Sequence, residues 1–260
     1  PTAALTPTPE IEYAALVNGE GIRLTSYEAS LLQFSKAMEQ YPAQLDVGMT
    51  PQERVLGALI DRTLLAQAAR EAGFSADVQT TVERLALLIE QAGGNEKFDA
   101  WLSANGYTLE SFSYELPLEM EAAWQRDQIA STIPEEVEQV QARQILFYDP
   151  FQASRAYDQL QAGIDFETIA DNNDPNELGY LDWFPRGVLL FPELEELAFS
   201  LPAGQYSEVI ETDAGYHILY VIDKGLHPLS SEIRLLLEED AVRAWLDEAR
   251  SAAEIEVLLP

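Results

Sequence analysis

Cysteine is absent and histidine nearly so: two of 260 residues are histidine, His217 and His227. No disulfide or thiolate metal site can form, and two imidazoles without a pair at ligand spacing make no metal set. An oxidising compartment would suit such a chain, although nothing requires one. Also missing are a glycine-rich phosphate loop, a G-x-S-x-G elbow, and any Ser or Thr visibly paired with His217 in sequence. Those chemistries drop out, and no cofactor or metal is expected. Cations are scarce, with 15 Lys and Arg against 45 Asp and Glu, a formal charge of −30. The acid is spread, −11 over residues 1–133, −14 over 134–226 and −5 over 227–260, so no segment gathers the positive charge that nucleic acid or anionic lipid would need. The plain reading is a strongly solvated surface. The sharper one is a surface that favours basic or apolar polypeptide clients and deters self-association beyond a monomer or weak dimer. Finally, no run approaches the ~20 apolar residues of a membrane-spanning helix, so no direct membrane insertion is expected.

What is present is enough for two domains with cores of their own. Residues 1–12, PTAALTPTPEIE, read as a Pro/Thr/Ala linker of the kind that follows a signal or anchor, which points to an extracytoplasmic protein. Two short apolar segments then flank Asn18-Gly19, a hairpin signal. Thr25 and Glu28 have capping-box spacing before a first helix. A second has Thr50 as cap, Pro51 in the first position, Glu53 closing the box and Gly73 ending it. Val55, Leu56, Leu59, Ile60, Leu64 and Leu65 recur at helical spacing and make its buried face.

Two further helices, ADVQTTVERLALLIEQAGG and NEKFDAWLSANG, precede a longer one from about Leu109 to Ile129, which Pro117 should kink or break. Phe98, Trp101, Phe112 and Trp124 are packing or groove residues of this helical part. Near Pro134 the pattern changes to alternation. VQARQILF reads as a strand, FQASRAYDQLQAG and DFETIADNN as helices, GYLDWF as a strand, ELEELAF as a helix opened by Pro192, and YSEVIETDAGYHILYVID as two strands. After Pro228 comes a last helix with Leu236, Leu237, Ala241, Ala244 and Trp245 on one side, then the alternating EIEVLL. That helix and strand cannot fold alone, so they complete the helical part and leave the α+β unit as an insertion.

His217 lies in the last strand of the insertion. Alternation puts Tyr216, Ile218, Tyr220 and Ile222 on one face and His217, Leu219 and Val221 on the other. By pattern alone, a histidine among aliphatics is an ordinary core residue.

The run VQARQILF, DFETIA, GYLDWFPRGVLLFPELEELAFSLPAG, TDAGYHI, taken in this order, resembles the parvulin (rotamase, PpiC-type) peptidyl-prolyl isomerases over about residues 135–225. Around it, VNGEGIRLTSYE, RVLGALIDRTLLAQAARE and the terminal helix with EIEVLL resemble the chaperone domain of SurA-, PrsA- and PpiD-type foldases. The resemblance implies an α+β fold: a mostly helical chaperone domain, residues 13–133 completed by 227–260, holding an inserted parvulin-like domain, 134–226, with a small, mainly antiparallel sheet flanked by helices. It also implies that His217 is the second of two family histidines, Thr212 the hydroxyl bonded into that pair, and Asp174 the acidic position beside the prolyl bond. Gln144 stands where the first histidine belongs. Leu189 or Leu190 would take the Met/Leu place in the proline pocket, Leu194 replaces its usual aromatic floor, and Trp183, Phe184 and Phe199 complete the substrate-binding set. The usual Gly-Gly-Asp-Leu-Gly run is reduced to LGYLDWF.

Prolyl isomerisation crosses roughly 20 kcal/mol without making or breaking a bond, so a catalyst need only bind the twisted amide better than the planar one. Gln144 can donate and accept hydrogen bonds but cannot take on charge, and Leu194 keeps the pocket apolar with less contact area. The expected function is an extracytoplasmic foldase that isomerises X-Pro bonds in unfolded or exported, proline-containing clients and also holds them as a chaperone. The alternatives are a binding-only chaperone with a retired parvulin unit, and a scaffold that binds no unfolded chains. With Arg143, Arg155, Arg186 and Lys224 against 18 acids in residues 134–226, no preference for phosphorylated clients is expected.

Overall fold

The computed structural model describes residues 12–40, 48–173 and 179–259. In chain order the first elements are β1 (Tyr13–Val17), β2 (Glu20–Arg23), α1 (Leu24–Gln40), α2 (Pro51–Glu71), α3 (Val78–Ala92), α4 (Asn95–Ala104) and α5 (Leu109–Ala130). There follow β3 (Glu136–Phe147), α6 (Pro150–Gln161), α7 (Phe166–Asn173), β4 (Tyr180–Phe184), α8 (Pro192–Ser200), β5 (Ile210–Thr212), β6 (Gly215–Pro228), α9 (Ser231–Ala252) and β7 (Ile255–Val257). The chain separates into two compact units, one drawn from both ends, through Thr132 and from Asp240, and the other Ile133–Glu239.

In the first unit, β1 and β2 form the hairpin expected at Asn18-Gly19, with φ of 51° and 81° at these two residues, the double left-handed turn that Asn-Gly tolerates. β7 pairs antiparallel along the other edge of β1. Asn18 fastens that return: its N–H donates to the Glu254 carbonyl at 2.8 Å and its Oδ1 accepts from the Glu254 N–H at 2.9 Å. The residue before β7 is thereby bonded to the β1–β2 turn.

α2 carries the full capping box, Thr50 accepting from the Glu53 N–H and the Glu53 carboxylate from the Thr50 N–H. Its inner face, with Val55, Leu59, Ile60 and Leu64, packs under β1 and β2. Three expectations require correction. α1 begins at Leu24, whose N–H donates to the Glu12 carbonyl at 2.9 Å, so Thr25 sits inside the helix and not at its cap. Of the kink or break expected at Pro117, the break does not occur: α5 is continuous from Leu109 to Ala130, because only one backbone donor is lost from a helix otherwise held by packing. On α9 the packed side is Ala241, Val242, Trp245 and Leu246; Leu236 and Ala244 fall one position off that stripe and are exposed. Phe98, Trp101 and Phe112 meet Tyr107 in one stacked and edge-on cluster, with Phe98 buried and Trp101 about half exposed.

α2 and α5 also share buried charge. The Arg62 guanidinium pairs with the Glu115 carboxylate, both nearly out of solvent, and reaches Glu119 at 3.0 Å; the Ser26 hydroxyl donates to Glu115. Next along, Arg70 lies 2.5 Å from Glu20 and 3.3 Å from Glu121, which also accepts from the Ala76 N–H. Charges so placed are tolerable only in pairs.

In the second unit the antiparallel sheet has the order β4-β3-β6-β5. α6 and α7 cover one face, with Ala153, Ala156, Phe166 and Ile169 against Ile145, Phe147 and Ile218. The other face carries Val140, Ala142, Leu219 and Val221, packed with Phe184 and, from α8, Ala198.

Removing Arg62 alone, as Arg62→Met, should cost about 3 kcal/mol in urea unfolding because Glu115 is left buried and unpaired. Arg62→Met with Glu115→Leu should return to within about 1 kcal/mol of the parent. Equal losses in the single and double variants would contradict the pairing argument.

Candidate functional site

β3 and β6 pair from Glu136↔Pro228 to Phe147↔Tyr216, with Gln144 opposite Leu219 and Leu146 opposite His217. Gln144 and His217 are thus diagonal neighbours on the face toward α8, close enough for their side chains to meet. The β5–β6 turn brings the third member. Gly215 is required there: its φ is +139°, and a Cβ would lie 2.5 Å from the Phe147 carbonyl oxygen. Behind it, the Ala214 N–H donates to Thr212 Oγ1 at 3.1 Å, which fixes the hydroxyl under the turn.

The three side chains form a line: Thr212 Oγ1 lies 2.8 Å from His217 Nε2, and His217 Nδ1 lies 3.0 Å from Gln144 Oε1. The proton positions follow from the chemistry of the ends. A carboxamide oxygen only accepts, so Nδ1 carries the hydrogen and donates to Gln144; Nε2 then has a lone pair and accepts from Thr212. Only 2% of His217 is exposed, and burial lowers its pKa from 6.5, so the neutral ring is favoured. Both ring nitrogens are engaged, which makes His217 an organiser. The group it leaves available is the Gln144 amide, two N–H donors with their direction set by the Oε1 bond. His217 is therefore more than the core histidine its strand pattern implied: it is buried, and its hydrogen bonds orient two polar side chains.

α8 supplies the apolar wall. Leu194 is 3% exposed, and one turn earlier the Phe191 ring lies 5.8 Å from the His217 ring. Phe191 was not singled out from the sequence, because it precedes Pro192 and so lies outside the helical pattern. Glu195 was missed too: its carboxylate accepts from the N–H groups of Gly187, Val188 and Leu189 at 2.9, 3.1 and 3.2 Å, gathering the loop before α8. The run of three donors facing one carboxylate leaves no mark on sequence spacing. Leu189 packs into the core of this face, whereas Leu190 is 84% exposed. Phe184 is buried and meets Phe199 edge-on at 6.1 Å, with the Arg186 guanidinium over the Phe199 ring. Trp183 stacks instead on His227, ten residues further along β6. Asp174, and all of residues 1–12 except Glu12, lie outside the described residues. Among the described residues no group of three His, Asp or Glu could hold a metal ion.

Residues 149–223 match the PPIC-type PPIase domain family, and residues 5–124 the SurA-like N-terminal domain family. The chain is 30% identical over 227 residues to the foldase protein PrsA of Halalkalibacterium halodurans, covering 76% of this chain and 68% of that protein. It is 32% identical over 125 residues to the foldase protein PrsA of a Geobacillus species, an alignment that spans 46% of this chain and under half, 45%, of the relative. A crystal structure of PrsA from Bacillus cereus superposes with a TM-score of 0.51 at 19% identity, over 92% of this chain and 89% of that one, which speaks to the fold.

Imidazole NMR should find the neutral His217 ring protonated on Nδ1 and its titration midpoint below 6.5. With the folded pKa below that of the unfolded chain, the unfolded state takes up the proton first. This group's contribution to stability is therefore complete above 6.5 and lost as pH falls through the folded value. A midpoint at or above 6.5 would contradict the assignment.

Proposed function

The chain belongs to the PrsA foldase family, and from that premise we propose that it is an extracytoplasmic foldase whose second unit isomerises X-Pro bonds while its first holds unfolded client chains. The observation that carries this reading is the buried line Thr212–His217–Gln144 with the Phe191 ring beside it. In this reading the apolar wall takes the prolyl ring and removes water from the prolyl carbonyl. Desolvation favours the twisted amide, in which conjugation is broken and charge separation is least. The Gln144 N–H donors, aimed through His217, bind that amide in its twisted form. No proton transfer is needed, so replacing the family's first histidine by glutamine removes a chargeable group but not the donor. Asp174 is assigned to the same site by its place in the sequence.

The holding role is assigned to the first unit, through Thr132 and from Asp240. A cavity of about 680 Å³ in the helical unit, with Tyr107, Arg23, Glu28 and Glu110 on its walls, offers apolar and acidic surface together, which suits basic or apolar segments. Among the described residues no helix is long and apolar enough to cross a membrane, and the proposed site of action is outside the cytoplasm. A specific observation favours a second reading, a peptide-binding chaperone without catalysis: the two positions at which the resemblance implies histidine and an aromatic are Gln144 and Leu194.

NMR exchange spectroscopy on a short Ala-Pro peptide separates the two. We expect the parent to accelerate cis/trans exchange, His217→Ala to lose about tenfold of that acceleration through disordering of the Gln144 donor, and Gln144→His to equal or exceed the parent. A parent indistinguishable from peptide alone, with Gln144→His active, would establish the binding-only reading.

A further inference from the structure

The face of the second unit's sheet opposite His217 holds a separate cavity, about 330 Å³, between α6 and α7. That is the lower end of the roughly 300–1,000 Å³ usual for ligand sites. Its composition departs from the rest of the molecule. In a chain of charge −30, none of the described residues lining it is a carboxylate, whereas the larger cavity of the first unit is walled by Glu12, Glu28, Glu110 and Glu115. Gln152, Arg155, Ala156 and Gln159 face it from α6 at helical spacing, and Phe147 and Ile169 give it an apolar floor.

Arg155 is the informative member. Arg143 is paired with Glu167 and Asp171, Arg186 with Glu196, Lys224 with the Phe199 carbonyl, and Arg234 with the Pro134 carbonyl. Among the described residues Arg155 has no such partner. In a molecule with three acids for every base, an exposed guanidinium without an ion-pair partner, on a cavity whose described lining residues include no carboxylate, is free to receive an anionic ligand. The α7 wall supplies the complementary polarity. Asn172 and Asn173 commit their Nδ2 donors to the carbonyls of Thr168 and Ile169 at 2.7 Å each, which leaves both Oδ1 atoms as acceptors. The cavity thus offers a fork of N–H donors, amide oxygens to receive N–H groups, and an apolar floor.

We propose that the α6–α7 cavity is a second polypeptide-binding site, which takes a peptide carboxylate adjoining an apolar side chain. The carboxylate pairs with Arg155 in the two-pronged geometry that guanidinium favours, the neighbouring amide N–H donates to Asn172 or Asn173, and the apolar side chain rests on Phe147 and Ile169. The carboxylate can come from a chain's C-terminus or from an acidic side chain. Binding here is independent of isomerisation, since His217 lies on the other face of the sheet.

The test is a backbone-amide NMR titration of the full ¹⁵N-labelled chain with three peptides: acetyl-Ala-Leu with a free carboxylate, its C-terminal amide, and acetyl-Asp-Leu amide. We expect saturable shifts at Arg155, Gln159 and Asn172 with at least one carboxylate peptide and none with acetyl-Ala-Leu amide. Arg155→Gln should weaken binding about tenfold, and Arg155→Lys should recover part of it. Arg155 is exposed, so neither variant threatens the fold, and unchanged amide positions elsewhere verify this. Binding of the free-terminus peptide alone identifies the source as a chain end; binding of the Asp peptide identifies it as an acidic side chain. Equal binding of the uncharged peptide, absence of shifts on α6 and α7 with all three, or indifference to Arg155→Gln would overturn the proposal.

Discussion

The second unit depends on the pairing of β3 with β6. These long strands fix which side chains of two distant segments share a face, and a slip of one residue would send Gln144 to the α6–α7 side while leaving His217 beneath α8. The aliphatic alternation guards against that slip, because Ile145 and Phe147 must meet one set of helices while Val140 and Ala142 meet α8. The polar line is thus a by-product of apolar packing: burial of the aliphatics positions the imidazole, and the imidazole positions the carboxamide. Gly215 adds the tight turn that puts the Thr212 hydroxyl within reach.

Both units bury polar groups, and each keeps them partnered. In the helical unit, Arg62 and Glu115 remain as an ion pair, with Ser26 and Glu119 taking up further hydrogen-bonding capacity. Such a pair adds little net stability but fixes how α2 and α5 meet. The second unit likewise buries a paired guanidinium, Arg143 against Glu167 and Asp171, but at the candidate site the buried group is a neutral imidazole with both nitrogens satisfied, which avoids the cost of a further buried charge. Replacing a histidine by Gln144 fits that economy: a second imidazole beside His217 would add another titratable group, whereas a carboxamide keeps the hydrogen bond and stays uncharged across pH.

Much of this was legible in the sequence where a local rule has one outcome. Asn18-Gly19 admits a double left-handed turn, and Thr50, Pro51 and Glu53 spell a helix start that needs no tertiary help. The alternation of Tyr216 to Val221 gave the two faces of β6. Legibility failed where tertiary contacts decide. Thr25 has cap spacing, but β2 leads directly into α1; Pro117 opposes a helix that packing maintains; and α9 turns Ala241 and Trp245 inward while Leu236 and Ala244, only one position away, face solvent. At the site, the family resemblance pointed to His217, Thr212 and Gln144, yet Phe191 and Glu195 could not be read because their roles come from how the chain enters α8 and not from spacing within it.

The central claim is that a neutral His217, donating to Gln144 and accepting from Thr212, organises a prolyl-isomerising site. The pH profile of prolyl exchange under catalysis by the unmodified chain tests it most directly. The acceleration should be steady at mildly alkaline pH and fall as pH drops through a midpoint below 6.5, as protonation of Nε2 breaks the acceptance from Thr212. An acceleration that grows as His217 becomes charged, or none at any pH, would contradict the account.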